Sequence, residues 1–128
     1  MDTNPASAFT VLLGFSQSEF RDDLFPMFSS GEYTILTAGS GEEVLSKFNE
    51  HPEISLVIIT IELGGSNGFE VLRQLKSRRS VTPVFLLAAY ISFESLKLAS
   101  LYGCDELLQI PVRKRDLMAL INKYLHNQ

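Results

Sequence analysis

Short apolar runs alternate with amphipathic stretches along the whole chain. The run from Phe9 to Phe15 is too short for a helix and unbroken enough for a buried strand. After it, Ser16-Gln17-Ser18-Glu19 has capping-box spacing, and Phe20, Leu24 and Phe28 recur at intervals of four, which predicts a first helix. Pro26 is expected to kink or shorten that helix, because it lacks an N–H and clashes with the preceding turn. Tyr33 to Thr37 is rich in β-formers, Ser40-Gly41-Glu42-Glu43 is a second capping box, and Val44, Leu45 and Phe48 supply the stripe of a second helix that His51-Pro52 ends. Ile54 to Ile61 is the most apolar run, and Leu63-Gly64-Gly65-Ser66-Asn67-Gly68 reads as a loop. Phe69, Val71, Leu72 and Leu75 then mark a third helix closing in Arg78-Arg79, where cations suit the negative end of the macrodipole.

The same alternation continues to the end. Val84 to Ala89 predicts a fourth strand, with Pro83 at its start, where a missing N–H is tolerated. Ser92 is placed to cap a helix carrying Phe93, Leu96 and Ala99, with Gly103 as its stop. Glu106 to Ile110 predicts a fifth strand, and Leu117, Leu120, Ile121 and Tyr124 form an i, i+3, i+4, i+7 stripe on a last helix. Five strands apolar on both faces and alternating with helices require a parallel sheet covered on both sides. The pattern therefore predicts one doubly wound α/β domain with five strands, five helices, three α/β/α layers and right-handed crossovers, ordered from about residue 9 to 126. Such folds bind ligands at the carboxyl ends of their strands, so the informative positions are few and chemically sparse.

Composition narrows the classes. The 128 residues hold 15 acidic and 11 basic side chains, for a formal charge of −4, with 45% hydrophobic residues and a pI near 5.1. That acidity argues against direct, sequence-independent nucleic-acid binding, which needs a net basic surface. One cysteine, Cys104, closes no internal disulfide, and one cysteine with two separated histidines makes a poor zinc set, so neither a metal nor another cofactor is expected. No apolar run reaches the roughly 18–20 residues that span a bilayer, and Met1-Asp2-Thr3-Asn4-Pro5 lacks a signal-peptide pattern. A cytoplasmic protein without a membrane partner is the expectation.

Leu56-Val57-Ile58-Ile59, followed by Leu63, Gly65 and Asn67-Gly68-Phe69-Glu70-Val71-Leu72, resembles the third strand, loop and third helix of bacterial response regulator receiver domains. Thr82-Pro83-Val84 onward, Gly103-Cys104-Asp105-Glu106 and Pro111 resemble that family's later landmarks, so the likeness covers the chain from Thr10 to about Leu125. It implies a CheY-like fold with strand order 2-1-3-4-5 and a place in two-component-type signalling. In an active receiver, an acidic pair after strand one and an aspartate after strand three hold Mg²⁺, and that aspartate accepts a phosphoryl group from a histidine kinase. Here the acidic pair falls on Phe15 and Ser16, and the phosphoacceptor position on Thr60. The hydroxyl position after strand four is Ala88, the lysine position after strand five is Ile110, and the coupling aromatic of strand five is Leu107.

These departures matter jointly. Mg²⁺ needs hard oxygen ligands including one or two carboxylates, and a moving phosphoryl group needs cationic partners. Phe15 and Ile110 supply neither, and Thr60 cannot form an acyl phosphate. The resemblance therefore implies a degenerate pseudo-receiver with no catalytic residue, acting through protein–protein contacts independent of phosphorylation. Glu62 is the one carboxylate nearby. With Phe15, Ser16, Thr60 and Tyr90 it defines the alternative, a small-ligand or ion sensor in the strand-end crevice. Residual phosphotransfer through Glu62 is a third reading.

Phe15 at a strand end is expected mainly to pack and fill the vacated crevice, Thr60 to fill the volume of the missing aspartate, and Cys104 to act as a small hydrophobe. Arg113-Lys114-Arg115 places positive charge at the start of the last helix, against the macrodipole. Beside the plain reading of a solvated run, it marks a patch for an acidic partner. In receivers the face built by the fourth helix, fifth strand and fifth helix commonly carries dimerisation and output contacts. The partner expected is thus a protein, or a second copy, on that face.

Overall fold

A computed structural model describes residues 9–17, 22–28 and 31–126. Ser18, Glu19 and Phe20, the core of the first predicted helix start, lie outside these residues. Five strands form the main sheet: β1 (Phe9–Gly14), β2 (Tyr33–Ala38), β3 (Ile54–Thr60), β6 (Val84–Ala88) and β7 (Glu106–Gln109). They are parallel throughout, in the order β2-β1-β3-β6-β7, which is the expected 2-1-3-4-5 once the two short intervening strands are set aside. The described part of α1, residues 22–28, ends in a 3₁₀ turn at Phe25–Phe28, the shortening that Pro26 dictates. The other helices are α2 (Gly41–Glu50), α3 (Gly68–Arg78), α4 (Phe93–Leu101) and α5 (Lys114–Leu125).

Local chemistry fixes each helix end. The Ser40 hydroxyl accepts from the Glu43 N–H at 3.1 Å, while Glu43 Oε1 accepts from the N–H of Gly39 at 2.7 Å, one residue before the position a strict capping box uses. Ser92 and Ser95 form a reciprocal box at the start of α4. Arg79 closes the far end of α2: its guanidinium lies 3.6 Å over the Phe48 ring and donates to the carbonyls of Phe48, His51 and Pro52, satisfying acceptors that a helix terminus leaves open.

The predicted loop from Leu63 to Gly68 is instead a two-stranded hairpin, β4 (Glu62–Leu63) with β5 (Ser66–Asn67). Gly64 and Gly65, with φ of 51° and 83°, make the two-residue turn that a tight hairpin requires. Asn67 then caps α3 by accepting from the Phe69 N–H at 2.8 Å.

Two apolar cores lie on opposite sides of the sheet, because successive strand residues face opposite ways. Leu12, Val57, Ile59, Val84 and Leu86 meet Val44, Phe48, Leu72, Leu75 and Ala99 of α2, α3 and α4. Val11, Leu13, Leu56, Ile58, Phe85 and Leu87 meet Leu24, Phe28, Leu117, Ile121 and Leu125 of α1 and α5. The expectation of strands apolar on both faces holds for β1, β3 and β6, whereas the edge strands β2 and β7 are mostly half-buried.

Candidate functional site

At the carboxyl ends of β1, β3, β6 and β7 the sheet opens into a crevice of about 340 Å³. Ser16 and Gln17 line it after β1, Thr60 at the end of β3 with Ile61 and Glu62 beyond it, Leu87 and Ala88 at the end of β6 with Ala89 and Tyr90 beyond it, Ser95 from α4, and Ile110 after β7. Thr60 is buried and its hydroxyl donates to the Glu62 carbonyl at 2.7 Å, so its hydrogen-bonding capacity turns along its own chain. Glu62 is solvent-exposed, and the Ile110 N–H donates to the Ala88 carbonyl at 2.8 Å. The wall is polar through Ser16, Gln17, Thr60, Ser95 and Tyr90, and among the described residues that line it there is one carboxylate, Glu62, and no cation.

Phe15 is absent from this lining. It is 1% exposed and belongs to the core between the sheet and the α1/α5 layer, because it continues the Val11, Leu13 parity of β1. The expectation that Phe15 fills the vacated crevice is therefore corrected: the crevice stays open, with Thr60, Ala88 and Ile110 among its lining. Leu107 also lies outside it, half-buried against the α2–α4 core.

Titratable groups elsewhere are tied into the frame. Burial pushes the Cys104 thiol up to about 11, and its Sγ donates to the Glu106 carbonyl at 3.0 Å, the behaviour of a packing residue. Lys76 Nζ bridges Asp105 Oδ2 at 2.7 Å and the Thr82 carbonyl at 2.9 Å, and Asp105 Oδ2 also accepts from the Val84 N–H at 2.8 Å. His51 meets Glu53 at 2.9 Å and His126 meets Glu32 at 3.1 Å, both at helix ends remote in sequence from the crevice.

Residues 17–122 match the response regulator receiver domain family. The chain belongs to that family. Its curated relatives include response regulator RR06 of Streptococcus pneumoniae, 23% identical over 117 residues, which are 89% of this chain and 54% of the relative. The cell cycle response regulator CtrA of Brucella ovis is 25% identical over 112 residues, 88% of this chain and 48% of the relative. The chain thus spans about half the length of the curated relatives it matches. A CheY-like receiver domain protein of Methanospirillum hungatei superposes with a TM-score of 0.87 at 23% identity, over 94% of this chain and 96% of that one. A chain of the CheX–CheY–BeF3–Mg complex from Borrelia burgdorferi gives a TM-score of 0.83 at 21% identity, over 90% of this chain and 87% of that one.

In this receiver Thr60, which the resemblance sets at the phosphoacceptor position, lines one crevice together with Ser16, Ala88 and Ile110. Tyr90 joins them at its mouth. Arg113 is the N-cap of α5 and makes no side-chain cap bond, and Arg113, Lys114 and Arg115 are all exposed. Among the described residues none of the three takes part in an ion pair shown by the structure.

The surface of α4 differs from the sequence reading. Ala99 is buried as expected, but Phe93 is 79% exposed and Leu96 54%, joined by Leu101 at 71% and Tyr90 at 75%. The inward face uses Ser95, Leu98 and Ala99 instead. The helix is apolar on both sides, so its periodicity alone could not choose which stripe turns inward. The signal available was the excess itself: more large apolar residues than one buried face needs.

Proposed function

We propose that this receiver domain signals by protein–protein recognition within a cytoplasmic two-component-type pathway, without Mg²⁺-dependent aspartyl phosphorylation as its switch, and that it has no catalytic residue. The observation that carries this reading is the set of side chains at the four strand ends. Thr60 stands where the acyl phosphate would form and spends its hydroxyl on the Glu62 carbonyl. Phe15, at one acidic-pair position, is sequestered in the core, Ser16 offers only a hydroxyl at the other, and Ile110 offers no cation. The family's Mg²⁺ does not fit this donor set: among the described residues a divalent ion that prefers octahedral oxygen ligands with one or two carboxylates meets Glu62 as the one carboxylate of the lining, and no three metal-ligating side chains cluster. Leu107, the coupling position of β7, packs into the core as an aliphatic side chain.

Recognition then falls to the surface formed by α4, β7 and α5. Its apolar part is Phe93, Leu96 and Leu101, and its charged part is Arg113, Lys114 and Arg115, which suit an acidic protein surface. No described helix is long and apolar enough to cross a membrane, and the chain's net acidity argues against sequence-independent nucleic-acid binding by the domain as a whole. A second reading keeps the crevice in use as a small-ligand or ion sensor, favoured by its open volume and by the polar wall of Ser16, Thr60, Glu62 and Tyr90.

The test is a two-dimensional amide NMR titration with Mg²⁺ and then beryllofluoride, which mimics an aspartyl phosphate. The expected result is no saturable shift at Ser16, Thr60, Ala88 or Ile110. Saturable shifts there would overturn the phosphorylation-independent reading and return an ion site to the crevice.

A further inference from the structure

We propose that the strand-end crevice takes an aliphatic diamine, a short polymethylene chain with an ammonium at each end, lying from Glu62 across Ile110 to Asp23. The inference rests on the second reading above, the crevice in use as a ligand sensor, and it names the ligand class. Beside the crevice of about 340 Å³ lies a smaller chamber of about 100 Å³, between α1 and the segment that follows β7. Leu87 and Ile110 line both, so the two cavities adjoin along a common apolar wall. Leu24, Met27, Pro111 and Val112 make the rest of the chamber apolar, and Asp23 is the one charged side chain among the described residues that line it. Glu62 holds the same place in the crevice. Two carboxylates thus flank one apolar waist.

The chemistry of the linings selects the ligand. Among the described residues neither cavity is lined by a lysine or arginine, and neither Glu62 nor Asp23, both exposed, takes part in an ion pair shown by the structure. Thr60 is 7% exposed and its one hydroxyl proton is committed to the Glu62 carbonyl, so its oxygen has only lone pairs left to offer. The N–H groups of Ile61 and Ile110 are likewise spent, on the carbonyls of Leu87 and Ala88. An anion entering here meets carboxylates and no cation. An ammonium meets the Glu62 carboxylate, an acceptor in Thr60 and the ring of Tyr90, whose face attracts cations. Ile110 decides what joins the two ends: methylene groups are dehydrated against it and Leu87, whereas a metal dication gains nothing from an apolar wall. A monoamine satisfies one carboxylate and leaves the other to water. Alkylamines, with a pKa like the ~10.4 of lysine, carry the required charge at neutral pH.

Amide NMR titration of the full chain at low salt with 1,5-diaminopentane, pentylamine and pentanoate tests this. The expected result is saturable shifts from the diamine at Thr60, Glu62, Ile110, Val112 and Asp23, with a Kd on the order of 0.1–1 mM, since its charged contacts are exposed. Pentylamine binds about fivefold more weakly, and pentanoate gives no saturable shift. Glu62→Gln and Asp23→Asn, both at exposed side chains, each weaken the diamine about fivefold, the upper range for one exposed ion pair. Ile110→Lys sets a cation on the common wall and abolishes binding. Pentylamine binding as tightly as the diamine, or a diamine affinity unmoved by Glu62→Gln or Asp23→Asn, would overturn the two-ended site. Saturable shifts from pentanoate alone would overturn the ligand class and leave the sensor reading standing, whereas silence from all three probes would overturn both. The phosphorylation-independent reading is decided separately, by Mg²⁺ and beryllofluoride.

Discussion

Phe15 and Thr60 show how single side chains set what the crevice can do. Phe15 closes the core against Leu24 and Phe28 of α1 and Leu117 and Ile121 of α5, with 1% of its surface left to solvent. Phe15→Ala is expected to lower stability by about 3–5 kcal/mol, read as a shift of the urea midpoint at unchanged slope, because it removes a buried ring and leaves a cavity. An unchanged midpoint would mean that Phe15 is not part of the core. By the same burial, a carboxylate placed at position 15 would sit in an apolar core without a partner. Phe15's alternation with Val11 and Leu13 was legible in the sequence, but its consequence for the crevice was not. Strand parity says which way a side chain points, whereas only packed neighbours say whether it reaches a cavity. The Thr60–Glu62 bond was equally hidden, since it depends on the chain doubling back into the β4–β5 hairpin.

At the scale of elements, capping signals read well where they were local. Ser40, Ser92 and the His51-Pro52 stop all act as their chemistry predicts. Two elements were read less well, each for a physical reason. The glycine-rich stretch after β3 carries only two residues per hairpin strand, too few to show alternation, so its two-glycine turn was the sole signal. Helix α4 is apolar on two sides, so the 3.6-residue period had no unique answer. The hairpin makes its own prediction. A Cβ at Gly64 would stand 2.4 Å from the Gly39 carbonyl oxygen and 3.1 Å from Ser40 Cα, while one at Gly65 would meet nothing within 4 Å. Both glycines have positive φ. Gly65→Ala is therefore expected to cost about 1 kcal/mol for backbone conformation alone, and Gly64→Ala clearly more, on the order of 2–3 kcal/mol, because the tip must also leave its seat before α2. Thermal melts of the two variants decide it, and equal losses would show that the tip does not bear on the Gly39–Ser40 backbone.

For the molecule as a whole, strand count and the two helical layers were legible, because five apolar runs separated by helical stripes admit few topologies, whereas the strand order came with the resemblance to receivers. Strand burial follows from position: β1, β3 and β6 are covered on both faces, and the edges β2 and β7 are not. Lys76 and Asp105 tie the end of α3 to the segment entering β7, so the sheet and one helical layer share a polar anchor as well as an apolar contact. The sheet also keeps its two cores apart: Leu72 packs only with the α2–α4 side and Ile121 only with the α1/α5 side. Leu72→Ala, expected to cost about 2–5 kcal/mol, and Ile121→Val, about 0.5–1.5 kcal/mol, should therefore add in the double variant to within ~0.5 kcal/mol, as denaturant titration of all four proteins will measure. A larger coupling would mean that the strands relay strain between the layers. With additivity, each side of the sheet is free to drift in sequence without waiting for the other, so a lineage can remodel its α4 surface while the packing beneath α5 stays as inherited.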